Sequence, residues 1–370
     1  MRRDQNVVCV CTLFLICVAA ISPNAPAQRR ALIQGNQPSQ AGSAGTPTSS
    51  PPMQSPVLGF AYAASLGEVR AILGVPGASR LGDLLTFPGG VTAVYFAPGQ
   101  KCAIVERSNG ASIGLLTFPG ATLGALIGIP GGVSRLDLVS FSPRGTAAVV
   151  YSSIEARLQV ITGLPGAPQL AREVTIGDLP DRVRLLAIAD DGVTLLEGTI
   201  SGSVYVIPSG GPPQLLITTA DLGALVFAPG SDDALVFDRS EGAAWLLQDI
   251  SGTPSSRLLR KGLTGLGTNV LAQMDVTGAI ITGTNTHQLW RIDLQSLEAQ
   301  GMQLPIVPAT LQPLRITGRY LLSWEPRQPA WILDTGGVTA GVYFVPAVTS
   351  RYMRSHGRPR RPSVPRSTGP

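Results

Sequence analysis

From Val57 onward the chain is a succession of short apolar runs, each closed by Gly, Pro, Asn or Asp, and no stretch keeps a 3.6-residue period beyond about two turns. This pattern predicts strands. Six runs end in a tight turn and restart at once: Phe96-Ala97-Pro98-Gly99, Phe141-Ser142-Pro143-Arg144-Gly145, Ile188-Ala189-Asp190-Asp191-Gly192, Phe227-Ala228-Pro229-Gly230, Met274-Asp275-Val276-Thr277-Gly278 and Leu314-Arg315-Ile316-Thr317-Gly318. Their first residues lie 45, 47, 39, 47 and 40 positions apart. A repeat of that length holding four short strands is a blade of a β-propeller, whereas helical repeats would need long stretches of 3.6-residue period.

One repeat shows the plan well, with strands expected at 136–141, 146–151, 157–161 and 169–175. Its first two runs are almost continuously apolar, as strands packed on both faces require, and the later two alternate, as a half-exposed rim does. First strands are expected likewise at 91–96, 184–189, 222–227, 269–274 and 311–316. A further hairpin, 57–62 and 68–73, precedes the first full repeat, and the chain closes with the run 341–346. An open ring would expose strand edges, so the hairpin is expected to help close it. The fold class is therefore all-β, a propeller of four-stranded blades, with seven blades favoured and six as the alternative.

The Phe141-Ser142-Pro143-Arg144-Gly145 turn resembles the F-S-P-x-G turn of WD-repeat, TolB-type and YVTN-type propellers, and the body 57–349 is similar to secreted bacterial members of that group. The shared motif is a structural turn. No Trp-Asp pair closes a blade and the Gly-His pair is absent, so the scaffold roles of eukaryotic WD-repeat proteins are not implied.

Around this body the domain plan is a signal peptide at 1–27, a disordered linker at 28–55, the propeller at 56–349 and a disordered basic tail at 350–370. Arg2 and Arg3 precede an apolar stretch, and Ala25-Pro26-Ala27 reads as a cleavage site, so export to the periplasm or beyond is expected. The apolar stretch is too short to span a bilayer, and no membrane span is expected in the mature chain. None of Cys9, Cys11 and Cys17 follows the small residue a lipobox needs. Removal of the leader would leave Cys102 alone, so stability must come from burial rather than disulfides.

The net charge of +5 divides into +1 for the leader, +6 for the tail and −2 for everything between. A mildly acidic body with a separate arginine tail lacks the basic face of a nucleic-acid binder. The expected partner is a protein, peptide or glycan, engaged through the loop faces or the central channel by a monomer.

Candidate chemistry is sparse. His287 and His356 are the only histidines, and His356 lies in the tail, so a histidine-rich metal site cannot be assembled and no catalytic residue is assigned. His287 reads as a rim residue. Asp190, Asp191, Asp232 and Asp233, paired acids in or beside turns, are the candidate metal ligands, with calcium the only cofactor considered. They lack calcium-loop spacing, and capping of their own turns is the simpler role. Glu106, Glu197 and Asp238 end second strands at what read as comparable repeat positions, which would ring one face with carboxylates. A calcium-dependent hydrolase or lactonase is therefore the alternative function, and an envelope-assembly subunit another. Trp245, Trp290, Trp324 and Trp331 share no blade position of the quinoprotein kind, and the Pro-Gly pairs at 76–77, 130–131 and 165–166 read as type II turns rather than phosphate loops.

Overall fold

The computed structural model describes residues 55–347, apart from 88–89, 109, 176–180 and 338. The expected leader, the tail and all but Ser55 of the expected linker lie outside the described residues. Seven antiparallel sheets follow one another, over 57–85, 91–128, 138–175, 183–218, 222–260, 270–303 and 312–345, and are numbered here as blades 1 to 7. Blades 2 to 7 have four strands each and blade 1 has three.

Each blade is taken from one continuous stretch of chain, and apolar side chains join it to its neighbours. Phe60 and Val69 of blade 1 pack with Val105 and Leu116 of blade 2, and Ile104 and Leu115 of blade 2 pack with Val150 and Ile161 of blade 3. The same arrangement continues through every later pair. Leu314, Leu321, Trp324 and Ile332 of blade 7 then meet Leu58, Ala61 and Ile72 of blade 1, which completes the ring. Each fully buried Leu, Val or Ile contributes roughly 1.5–3 kcal/mol, and both faces of every blade collect such terms.

This packing explains the burial gradient. The second strands Ala234–Asp238 and Gly278–Gly283 are buried along their whole length, whereas the outermost strand Gln169–Thr175 alternates half-buried and exposed positions. The expected strands at 157–161 and 169–175 appear as Arg157–Thr162 and Gln169–Thr175, and those at 136–141 and 146–151 as Leu138–Phe141 and Ala148–Ser152. In the turn between the latter two, Gly145 has φ 68°, and a Cβ there would lie 2.8 Å from the Pro98 carbonyl of blade 2. Glycine is required on both counts.

Four expectations need correction. The third strand Arg157–Thr162, expected to alternate as a rim strand, has its four central residues buried, because it too is packed between neighbouring blades. The hairpin before the first full repeat is a three-stranded blade, because a further strand, Ala78–Leu85, pairs with Glu68–Val75. Alternating polar and apolar residues with Gly82 inside hide it. In blade 7 the first strand is only Gln312–Pro313 instead of 311–316. Pro313 has no N–H, and beyond it the Arg315 amide turns away to donate to the Leu58 carbonyl of blade 1 at 3.0 Å. The Pro165-Gly166 pair is not a type II turn, since Gly166 lacks the positive φ found at Gly77 and Gly131.

The place of an innermost strand in blade 1 is taken by side chains. Val57–Ala63 has the nearly continuous burial of a second strand, and among the described residues its inner edge meets no further strand. Instead the amide of Gln100, itself fully buried, accepts from Phe60 N at 2.6 Å and donates to Phe60 O at 3.1 Å. Gln312 of blade 7 donates to the same carbonyl at 3.2 Å. Two glutamine amides thus do the work of a neighbouring backbone, which leaves fewer polar groups stranded in the interior.

Candidate functional site at the mouth of the central channel

The turns between first and second strands gather around one end of the channel. There the inner strands and turns of blades 2 to 7 enclose a cavity of about 790 Å³. Phe96, Phe141, Phe227 and Met274 form apolar wall, and Tyr95, Gln273, Thr310 and Tyr320 add polar groups. Val276 and Ile316, both exposed aliphatics, stand at its rim with Pro98, Pro143 and Pro229. A second cavity of about 270 Å³ continues from it, sharing Val139, Ser140 and Val226, and is lined almost wholly by Leu, Val, Ala and Gly.

Four cations line the larger cavity, Lys101, Arg144, Arg315 and Arg319, against one carboxylate, Asp275. Arg319 is paired with Asp334 at 3.0 Å, and Arg144 lies 3.8 Å from Asp190. Asp275 is engaged by its own turn, accepting from Thr277 N, Thr277 Oγ1 and Gly278 N. Arg315 sits where blades 7, 1 and 2 meet. Its guanidinium lies 5.0 Å from the centre of the Phe60 ring and donates through Nη2 to Phe118 O, while its buried Nε has no partner. Phe60 and Phe96 flank Phe118, with ring centres 4.5 and 5.2 Å from it. Burial lowers the Arg315 pKa from its usual value, and an arginine remains charged under such a shift.

The acids singled out in the sequence are dispersed. Asp190 ties neighbouring turns together, accepting from Arg144 N of blade 3 at 2.8 Å and from Gly230 N of blade 5 at 2.9 Å. Asp191 caps its own turn through Val193 N, Thr194 N and Thr194 Oγ1. Asp232 accepts from the hydroxyl and amide of Ser251, which hold its carboxyl below the usual range, and Asp233 accepts from Asp249 N. Among the described residues no three acids, histidines or cysteines gather as a metal site would require.

Nor do Glu106, Glu197 and Asp238 form a ring. Paired against their first strands, Glu106 faces Ala93, Glu197 faces Leu186 and Asp238 faces Leu222, which puts them fourth, third and fifth from the inner turn. Neighbouring positions on a strand point to opposite faces, so the apparent equivalence fails. Burial works against the Asp238 carboxylate, but hydrogen bonds from Ala220 N, Ser240 Oγ, Glu241 N and Ser240 N outweigh it and hold its pKa low. Glu197 is wholly buried, neither of its oxygens has a partner, and burial with a smaller push from Asp181 moves its pKa up to about 7.

The other candidates have structural places. Cys102 is buried and its thiol pKa is pushed up to about 12, the opposite of a reactive cysteine. His287 is exposed, with Nδ1 3.0 Å from Leu304 O. Arg315 and Lys101 were not singled out in the sequence. Their signal was a cation placed inside or directly beside an apolar inner-strand run.

No protein-family model matches the chain, and no curated protein matches it. Among solved structures it is similar to a functionally unknown protein from Desulfotomaculum acetoxidans DSM 771, with a TM-score of 0.52 and 13% identity over 79% of this chain and 100% of that one. It also aligns with dihydro-heme d1 dehydrogenase NirN in complex with DHE, with a TM-score of 0.43 and 17% identity over 78% of this chain and 66% of that one. The first likeness speaks to the fold alone.

Proposed function

We propose that this propeller is a non-catalytic binding module whose ligand, a peptide segment, sugar or small organic solute, enters the channel from the turn end. The observation that carries this reading is the cavity of about 790 Å³. Its size is that of ligand sites in general, and its apolar wall with a few polar groups is their usual chemistry. The exposed aliphatic side chains at the rim extend the same surface outward. The alternative, a calcium-dependent hydrolase, draws no support from Asp190, Asp191, Asp232 and Asp233, each of which accepts from a backbone amide and no three of which gather among the described residues. An exported setting rests on the leader pattern of residues 1–27.

Ser140 lines both cavities, so Ser140→Trp narrows the channel from within. The test is thermal melting of wild type and this variant against panels of short peptides, oligosaccharides and small metabolites. A compound that raises the wild-type midpoint by several degrees and leaves the variant unmoved supports the channel site. Compounds that stabilise both proteins alike place the ligand elsewhere and overturn the reading.

A further inference from the structure

Lys101 and Arg315 belong to one corner of the cavity. The Lys101 carbonyl accepts from Phe118 N at 2.9 Å, and the Phe118 carbonyl accepts from Arg315 Nη2, so the two residues are joined through the backbone of one phenylalanine. Neither has a carboxylate within 4 Å among the described residues, whereas Arg144, Arg319 and Lys261 all do. The cavity therefore carries two unneutralised cations in a body that is acidic as a whole.

Arg315 makes the stronger demand. A guanidinium has five N–H donors, and burial of one without a partner costs free energy comparable to a lost hydrogen bond. The Phe118 carbonyl and the Phe60 ring satisfy part of this requirement, and Nε remains unpaired. The aromatic trio of Phe60, Phe96 and Phe118 holds the group in place from the protein side. A planar fork fixed in a cavity suits a planar anion, and partial removal from water strengthens the attraction. Next to it, Phe96, Phe141 and Met274 offer apolar wall but no further charge.

Resting on the channel reading, we propose that Lys101 and Arg315 form an anion subsite and that the ligand is an organic carboxylate with an apolar body. Arg315 receives the carboxylate through Nη1, which has no partner among the described residues and is not enclosed as Nε is; Lys101 adds a second positive charge, and the apolar part lies against the phenylalanine wall. The carboxylate can be that of a free organic acid or the C-terminus of a peptide.

The experiment is isothermal titration of the full chain with 3-phenylpropanoate, its neutral amide 3-phenylpropanamide, and the peptide Gly-Gly-Phe with a free or an amidated C-terminus. The protein is wild type, Lys101→Gln, Arg315→Gln or Ser140→Trp. The acid is expected to bind at least tenfold more tightly than its amide, to weaken three- to tenfold in Lys101→Gln, and to be lost in Arg315→Gln and Ser140→Trp. Preference for the free-ended peptide over 3-phenylpropanoate identifies a peptide terminus as the source, and the reverse a free acid. Both support the subsite.

Lys101 is exposed, so its variant reads the electrostatics even if Arg315→Gln fails to fold. Equal binding of acid and amide, both lost in Ser140→Trp, overturns the anion subsite and leaves the channel reading standing. Acid binding that survives in Ser140→Trp overturns both, and absence of binding by all four probes overturns the subsite.

Discussion

Glu197 occupies a position that other blades fill with a hydrocarbon. Its register equivalents are Val105, Val150, Val236 and Ile281, each fully buried against the preceding blade. A carboxyl there is tolerated as the neutral acid, which is why its pKa rises to about 7. Its effect on stability has a definite sign. Below pH ~4.5 both folded and unfolded chains carry it protonated; between there and pH ~7 only the unfolded chain ionises, so stability falls, and above that range the loss is complete. A shift of this size corresponds to roughly 3 kcal/mol at most. Glu197→Gln is expected to flatten the decline of the melting midpoint between pH 5 and 8, and Glu197→Val to raise the midpoint at pH 8 by several degrees. Identical pH slopes for wild type and Glu197→Gln would show that the group titrates normally. The sequence pointed to this residue for the wrong reason: it looked like one of a ring of strand-end acids, and only the pairing register shows it to be an isolated acid in a core position.

Strands were the most legible level, because each is a local apolar run punctuated by turn residues with particular backbone needs. What escaped reading had its cause in distant parts of the chain. Ala78–Leu85 is a rim strand whose sequence is too polar to stand out, and Gln312–Pro313 is short because Arg315 N finds its partner on blade 1. The Gln100 amide likewise substitutes for a strand 40 residues away, and no local pattern announces it. Gln100→Ala is expected to leave Phe60 N unpaired and to open a buried void. The cost should be about 2–4 kcal/mol, seen as a lower midpoint in denaturant unfolding with an unchanged slope. An unchanged midpoint would mean that the edge of Val57–Ala63 needs no cap. The cavity was legible only as an expectation that the channel or loop faces bind something. Its cations come from separate blades and are brought together by ring closure.

At the level of the whole ring, the six junctions from blade 1 through blade 7 are each crossed by the chain, and among the described residues the junction of blade 7 with blade 1 is not. Among the described residues no strand is exchanged there; the two blades adhere through Leu58, Ile72, Leu321, Trp324 and their neighbours, with hydrogen bonds from Arg315 N and Gln312 Nε2. In symmetry terms this is a heterologous contact that happens to close within one molecule. An opened ring would carry two different, mutually complementary faces, and blade 7 of one chain could then dock on blade 1 of the next. Closure prevails because the tethered faces meet at a high effective concentration. Weakening the junction with Leu321→Ala, at a position that is 2% exposed, is therefore expected to yield concentration-dependent head-to-tail oligomers in light scattering, where Leu246→Ala in blade 5 is expected to lower stability without changing the mass from that of wild type. The price of building every blade from its own stretch of chain is a ring whose closure depends on one seam.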